Sequence, residues 1–385
     1  MISSLVSTES FTIIRTRLSL RLGVIIQKFG RLMGMLSLRN RTVPNTKVLI
    51  EAGSLGWESV FYEELRDSLI DYLSVEMVAS SCIDRSRNYL RQSIRMLRQE
   101  KPTHYCFDPR TGPQTRFRSL MSTSIVMFYL GFWNITPIVV LTDASIRLWR
   151  YQAFLLTGSS GLVVTFLDPQ SMGPLFPHER VTGPSFMPVS QKRLDSLDHL
   201  QGAISQKPFN FTHIFFLGSL YSQRVTFLQE LNSELQVRQS KVQLIVEEKS
   251  PNITSDNYWN KIASYPCLLT TTFQNNPSSY STDRVYIDQM VFRISETLAA
   301  GKLLFSSNVP GMHKYFIENY HFVSYASISD AADKIIYFSD HPAEALKIAL
   351  EGRMRYRELV ERSTFWIDID KLLINKLRAT PQNTI

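Results

Sequence analysis

A chain of 385 residues, 44% hydrophobic and 20% charged, is too long for one hydrophobic core and reads as a globular protein of two domains. Its formal charge of +8 is lopsided: residues 1–42 hold seven arginines and lysines against Glu9 alone, a surplus of six, so the rest is nearly neutral. That argues against nucleic acid as a partner, and three scattered cysteines, Cys82, Cys106 and Cys267, make neither a C-x-x-C pair nor a disulfide framework, which suits a reducing cytoplasm.

Residues 10–38 alternate apolar groups such as Phe11, Leu18, Ile25, Phe29, Leu32 and Met35 with the basic ones. The arginines interrupt the stretch too often for a membrane-spanning helix, and it lacks the clean apolar core and cleavage site of a signal peptide. Three readings stay open: peripheral contact with an anionic membrane surface, a helix packed on the body, or a disordered leader.

Val43-Pro44-Asn45 breaks the chain, and 46–51 read as a buried strand. A turn holding Gly53 and Gly56 and a helix over 57–72 follow; the helix N-terminus either faces an anion or is a plain connection. Further strands are expected over 75–79, 104–107, 137–141 and 162–166, with helices over 85–100 and 114–132. The uncharged run between Arg118 and Asp143 is divided by Gly131, Asn134 and Pro137, so it reads as helix and strand and not as a span. Three strands end in an aspartate, Asp108, Asp143 and Asp168, at the edge where parallel sheets take ligands. Residues 173–210, with Pro174, Pro177, Pro184, Pro188 and Pro208, read as an interdomain connection.

The second half opens with a strand over 212–217, the turn Gly218-Ser219-Leu220-Tyr221 and a helix over 225–236, where Arg224 adds a cation near the helix start. A strand over 242–246, a helix over 257–264, a strand over 267–271 and a loop over 274–287 come next. Asp288 is placed to cap a helix of about three turns, with Val291, Ile294 and Leu298 on its apolar face and Gly301 closing it in a left-handed turn. A strand over 302–305 and the turn Val309-Pro310-Gly311 follow, then a strand over 320–325, helices over 328–338 and 342–361, and an amphipathic stretch over 365–378.

The spacing Arg293-x-x-Glu296-x-x-Ala299-x-Gly301, followed by a strand and the Pro310-Gly311 turn, resembles the nucleotide-sugar site of GT-B glycosyltransferases of the CgeB-like, or family 1-like, group. The segment from Phe216 to Arg224 is similar to the opening of that group's second domain. The resemblance implies an α/β fold of two Rossmann-like domains facing a central cleft, with a C-terminal helix crossing back. Residues 1–42 would be a basic leader, 43–205 the acceptor-side domain, 206–365 the nucleotide-sugar domain and 366–385 the final helix and tail.

The same resemblance implies a sugar moved from a nucleotide-sugar donor to a saccharide, lipid-linked or protein acceptor. Glu296 would accept hydrogen bonds from the donor ribose. Gly218 and Gly311, flanked by Ser219, Tyr221 and Pro310, would let backbone N–H groups approach donor oxygens. Those N–H groups, with Arg224 and Arg293, offset charge on the leaving diphosphate, so no metal or other cofactor is expected. An inverting reaction needs a general base, for which Asp143 and Asp108 are candidates by strand-end position; a retaining one would pair Asp288 with Glu296. The residues themselves leave open that Glu296 lies on the wet face of an ordinary helix and that Arg293 pairs with Asp288 or another carboxylate across its surface. A catalytically inactive nucleotide-sugar or polysaccharide binder and a nucleotide-sugar epimerase are the rival functions.

Overall fold

A computed structural model describes residues 25–26, 28–35, 46–52, 56–73, 78–82, 89–107, 116–141, 162–166, 181–204, 211–220, 222–248, 253–271, 290–309 and 311–373. The chain divides into two units, one formed by residues 1–54, 72–183 and 366–385 and the other by 55–71 and 184–365.

The first unit holds β1 (Val48–Ala52), β2 (Val78–Cys82), β3 (His104–Phe107), β4 (Thr136–Leu141), β5 (Leu162–Thr165) and β6 (Val181–Thr182) in one sheet of order β2-β1-β3-β4-β5-β6. Every pairing is parallel. Strands covered on both faces have no wet side, so they read as unbroken apolar runs: Val48, Leu49 and Ile50 are fully buried, as are Tyr105, Cys106 and Ile138. Between the strands run α3 (Tyr89–Glu100) and α4 (Arg116–Phe132), and a short helix over 28–35, α1, packs on α4. β2 is described from Val78, opposite Val48; residues 75–77 of the expected strand lie outside the described residues.

The second unit repeats the plan. β7 (His213–Gly218), β8 (Gln243–Glu248), β9 (Cys267–Thr270), β10 (Leu303–Ser307) and β11 (Val323–Tyr325) form an all-parallel sheet of order β11-β10-β9-β7-β8. Read from its first strand this is the order 2-1-3-4-5, the same as that of the first five strands of the first unit, and the strand order reverses between β7 and β9. The α/β class with two Rossmann-like sheets expected from the sequence is the one found. Ile214, Phe216, Leu231, Leu269, Phe305, Val323 and Ile335 lie in the core that α6 (Ser222–Val237) and α9 (Ile328–Asp340) share with the sheet.

The helix α2 (Gly56–Leu73) belongs to this second unit over 55–71, and Phe61 stacks on Phe292 at 4.4 Å. Where a structureless connection was expected, α5 (Gln191–Ile204) forms. The Pro-rich composition ends at Pro188, and Ser190 then starts the helix by accepting from Arg193 N at 3.2 Å. After α10 (Pro342–Glu361) comes α11 (Thr364–Leu372), and from Trp366 the chain belongs to the first unit, where Asp370 accepts from the Tyr72 hydroxyl at 2.9 Å.

Candidate functional site

In a parallel sheet each helix follows a strand, so its first turn lies at the carboxyl edge. Ligands of such sheets bind there, where the strand order reverses. β7 reaches that edge at Leu217 and Gly218. α7 (Ser255–Ser264) follows β8, with Thr254 Oγ1 accepting from Asn257 N, and turns Tyr258 and Trp259 inward. α8 (Phe292–Ala299) carries Arg293 and Glu296 one turn apart, both buried. It begins at Phe292 with Val291 in the capping position and no side-chain cap, so it is shorter than the three turns expected; Asp288 lies outside the described residues. Its end is as expected. Gly301 has φ 62°, and the bonds Gly301 N to Leu298 O and Lys302 N to Thr297 O form a Schellman closure.

Three side chains meet at this edge. Tyr258 Oη donates to Glu296 Oε1 at 2.7 Å, Arg293 Nη1 stands 3.1 Å from Glu296 Oε2, and Arg293 Nη2 donates to Leu217 O, on β7, at 2.6 Å. The guanidinium lies over the Tyr258 ring, 5.4 Å from its centre. Glu296 is 2% exposed and Arg293 6%, so neither sits on a wet helix face, and Arg293 pairs inward with Glu296 and not across a surface. Burial holds the Tyr258 phenol well above its usual range, with the Glu296 charge adding to the effect and Arg293 opposing it, so the hydroxyl stays a donor. Among the described residues no group donates a hydrogen bond to Glu296 Oε2, because the nearby Nη1 is at ion-pair distance without hydrogen-bond geometry.

Arg224, in the first turn of α6, spans the strand-order reversal itself. Its Nη1 donates to Ser219 O at 2.7 Å, its Nε to Thr271 Oγ1 at 2.9 Å and its Nη2 to Thr271 O at 3.2 Å, which ties the end of β7 to the end of β9. Gly218 is buried beneath it, and a Cβ there would fall 2.9 Å from the Phe216 ring. Gly218, Ser219, Arg224, Arg293 and Glu296 are thus linked through the last residues of β7. Gly311 has φ 79°, and a Cβ would lie 2.2 Å from Pro184 Cγ, so both backbone and space require glycine. Pro184 opens a segment that α8 holds, with Met187 N donating to Ser295 Oγ at 3.0 Å. Tyr221, Pro310, Asp108, Asp143 and Asp168 lie outside the described residues.

Sequence reasoning missed Tyr258, whose partner is 38 residues away, and it missed a second buried carboxylate. Glu64 on α2 accepts from Ser190 N at 3.0 Å, Ser190 Oγ at 3.0 Å and Arg193 Nε at 2.8 Å. Burial pushes its pKa up, and these donors pull it back. Arg193 in turn lies over the Trp259 ring at 5.6 Å and donates to Ser255 Oγ at 3.0 Å. Nothing local in the sequence signals this network.

Among the described residues no three His, Cys, Asp or Glu side chains converge as metal ligands would. The metal-independent expectation overlooked one acidic pair of D-x-D spacing, Asp368-Ile369-Asp370 in α11; Asp370 there is 2% exposed and bonded by Tyr72.

Residues 227–363 match a family model described as glycosyl transferase-like, a span that contains Tyr258, Arg293, Glu296 and Gly311. No curated protein matches the chain. Among solved structures, Anabaena HepE in complex with UDP and glucose is similar over 84% of this chain and 98% of its own, at 11% identity and a TM-score of 0.50. Sucrose-phosphate synthase from Thermosynechococcus elongatus is similar over 83% of this chain and 97% of its own, at 11% identity and a TM-score of 0.54. At such identities the likeness is one of fold.

Proposed function

We propose that the protein is a GT-B glycosyltransferase of the CgeB-like group that moves a sugar, of the hexose class, from a nucleoside diphosphate donor to a saccharide, lipid-linked or protein acceptor. The observation that carries this reading is the Tyr258–Glu296–Arg293 cluster at the carboxyl edge of β7. A buried carboxylate oxygen without a donor costs about 1–3 kcal/mol, and a ribose hydroxyl donating to Glu296 Oε2 removes that cost. The family-model match over 227–363 and the fold shared with HepE, which was solved with UDP and glucose, support the same reading.

In the reaction the bond from the anomeric carbon to the diphosphate breaks as a bond to the acceptor oxygen forms, and the acceptor proton passes to a base. Asp108 and Asp143 are the residues we assign to that base. The diphosphate leaves with the bonding electrons, and positive charge at the β7 edge stabilises it without a metal or other cofactor. Arg224 contributes the field of its charge and the shape of the Gly218-Ser219 turn, since its N–H groups bond Ser219 and Thr271. Gly311 and Pro310 complete the donor site. Cys106 and Cys267 are buried and form no disulfide, which fits the reducing cytoplasm in which we place the enzyme.

Isothermal titration against a panel of nucleoside diphosphates and their sugars, without added metal, tests the proposal. Micromolar binding of one nucleotide is expected. No binding across the panel overturns it.

A further inference from the structure

The short helix α1 is built inside out for a helix in water. Gly30 and Gly34, four residues apart, bring it so close to α4 that a Cβ on either would lie 2.4 Å from Phe128 O or 2.2 Å from Phe132 O. The close approach to α4 is thus built on glycine, and at its edge the Phe29 ring lies 6.2 Å from that of Phe128. The opposite face carries Leu32, with Met33 and Met35 beside it, 48%, 39% and 70% exposed; Phe29 at its edge is 54% exposed, and Ile25, in the helical residues 25–26 that precede α1, is 61% exposed. Exposed Lys28 lies on the same outward side. Beside the helix, α4 and the residue after it carry Phe128, Tyr129, Phe132 and Trp133, half-buried rings in contact with one another, such as Tyr129 and Trp133 at 4.9 Å.

We propose that this outward face is a docking surface for an anionic lipid bilayer. The apolar row lies in the boundary between headgroups and acyl chains, and the glycine face ties it to the body through α4. Charge selects the occupant. Residues 1–42 carry a surplus of six positive charges, which an anionic surface attracts and which would repel a second copy of the same segment. Aromatic rings of the Tyr and Trp type beside such a face suit the same interface. Among the described residues no helix is long and apolar enough to cross a membrane. The packed-helix and membrane readings of residues 10–38 are thereby compatible, since each uses a different face.

Flotation of the full-length protein with phosphatidylglycerol–phosphatidylcholine vesicles, and with phosphatidylcholine alone, tests the inference. Binding to the anionic vesicles only, weakened by salt, is expected. The double substitution Ile25→Ser with Leu32→Ser should lower the partition coefficient at least about tenfold, because two large apolar side chains no longer leave water. Both side chains point outward, so melting temperature and nucleotide binding should stay those of the parent. Three results would overturn the inference: no binding to anionic vesicles, binding that the double variant retains in full, or a concentration-dependent dimer that the variant abolishes.

Discussion

Glu64 and Glu296 are both 2% exposed and each faces an arginine, yet their surroundings differ. Glu64 takes three hydrogen bonds from its own chain, through Ser190 and Arg193, and its partners lie 126 and 129 residues away in sequence. Among the described residues Glu296 takes one, from Tyr258, and its other oxygen is ion-paired with Arg293 but receives no hydrogen bond. A carboxylate filled by its own chain fastens that chain. One left open at the carboxyl edge of a strand-order reversal has capacity for a hydroxyl from outside.

The sharpest way to break this comparison is Glu64→Ala. It leaves Ser190 N inside without its acceptor and Arg193 with only Ser255 Oγ and the exposed Asp256, and should cost about 3–5 kcal/mol of stability, read by urea unfolding. Nucleotide affinity of the folded variant should be unchanged. Gly311→Ala comes next: a positive φ and the collision with Pro184 together should cost about 2–4 kcal/mol. Tyr258→Phe removes the one hydrogen bond that Glu296 receives among the described residues and should cost about 1.5–3 kcal/mol, with weaker nucleotide binding in the same titration.

The smallest effect is a pH slope at His321. Its Nδ1 accepts from Ile317 N at 2.8 Å, and burial together with Arg355 lowers its pKa from 6.5 against the opposing pull of Glu351 and Glu358. The folded state thus favours neutral imidazole. This contribution is fully present above pH 6.5 and is lost as pH falls through the lowered folded value. His321→Asn should flatten that part of a stability–pH curve.

Much of the frame was legible from the chain. Apolar runs such as Val48-Leu49-Ile50 and Phe215-Phe216-Leu217 mark strands buried on both faces, and Gly301 marks the end of α8. The Arg293 and Glu296 spacing placed both side chains one turn apart, but periodicity could not say that the shared face is interior; that depends on Leu217 O and Tyr258, which come from other strands and helices. The helix α5 was hidden because prolines up to Pro188 dominated the composition of a region whose later residues favour helix. The links through Tyr258 and Glu64 span long stretches of chain, where local rules carry no signal.

The central claim is tested most directly by titrating the tightest-binding nucleoside diphosphate into Glu296→Gln and Glu64→Gln side by side. Glu296→Gln should bind at least about tenfold more weakly than the parent, as expected for losing hydrogen bonds to a charged group, while Glu64→Gln binds as the parent does. Unchanged affinity in a folded Glu296→Gln protein would contradict the account.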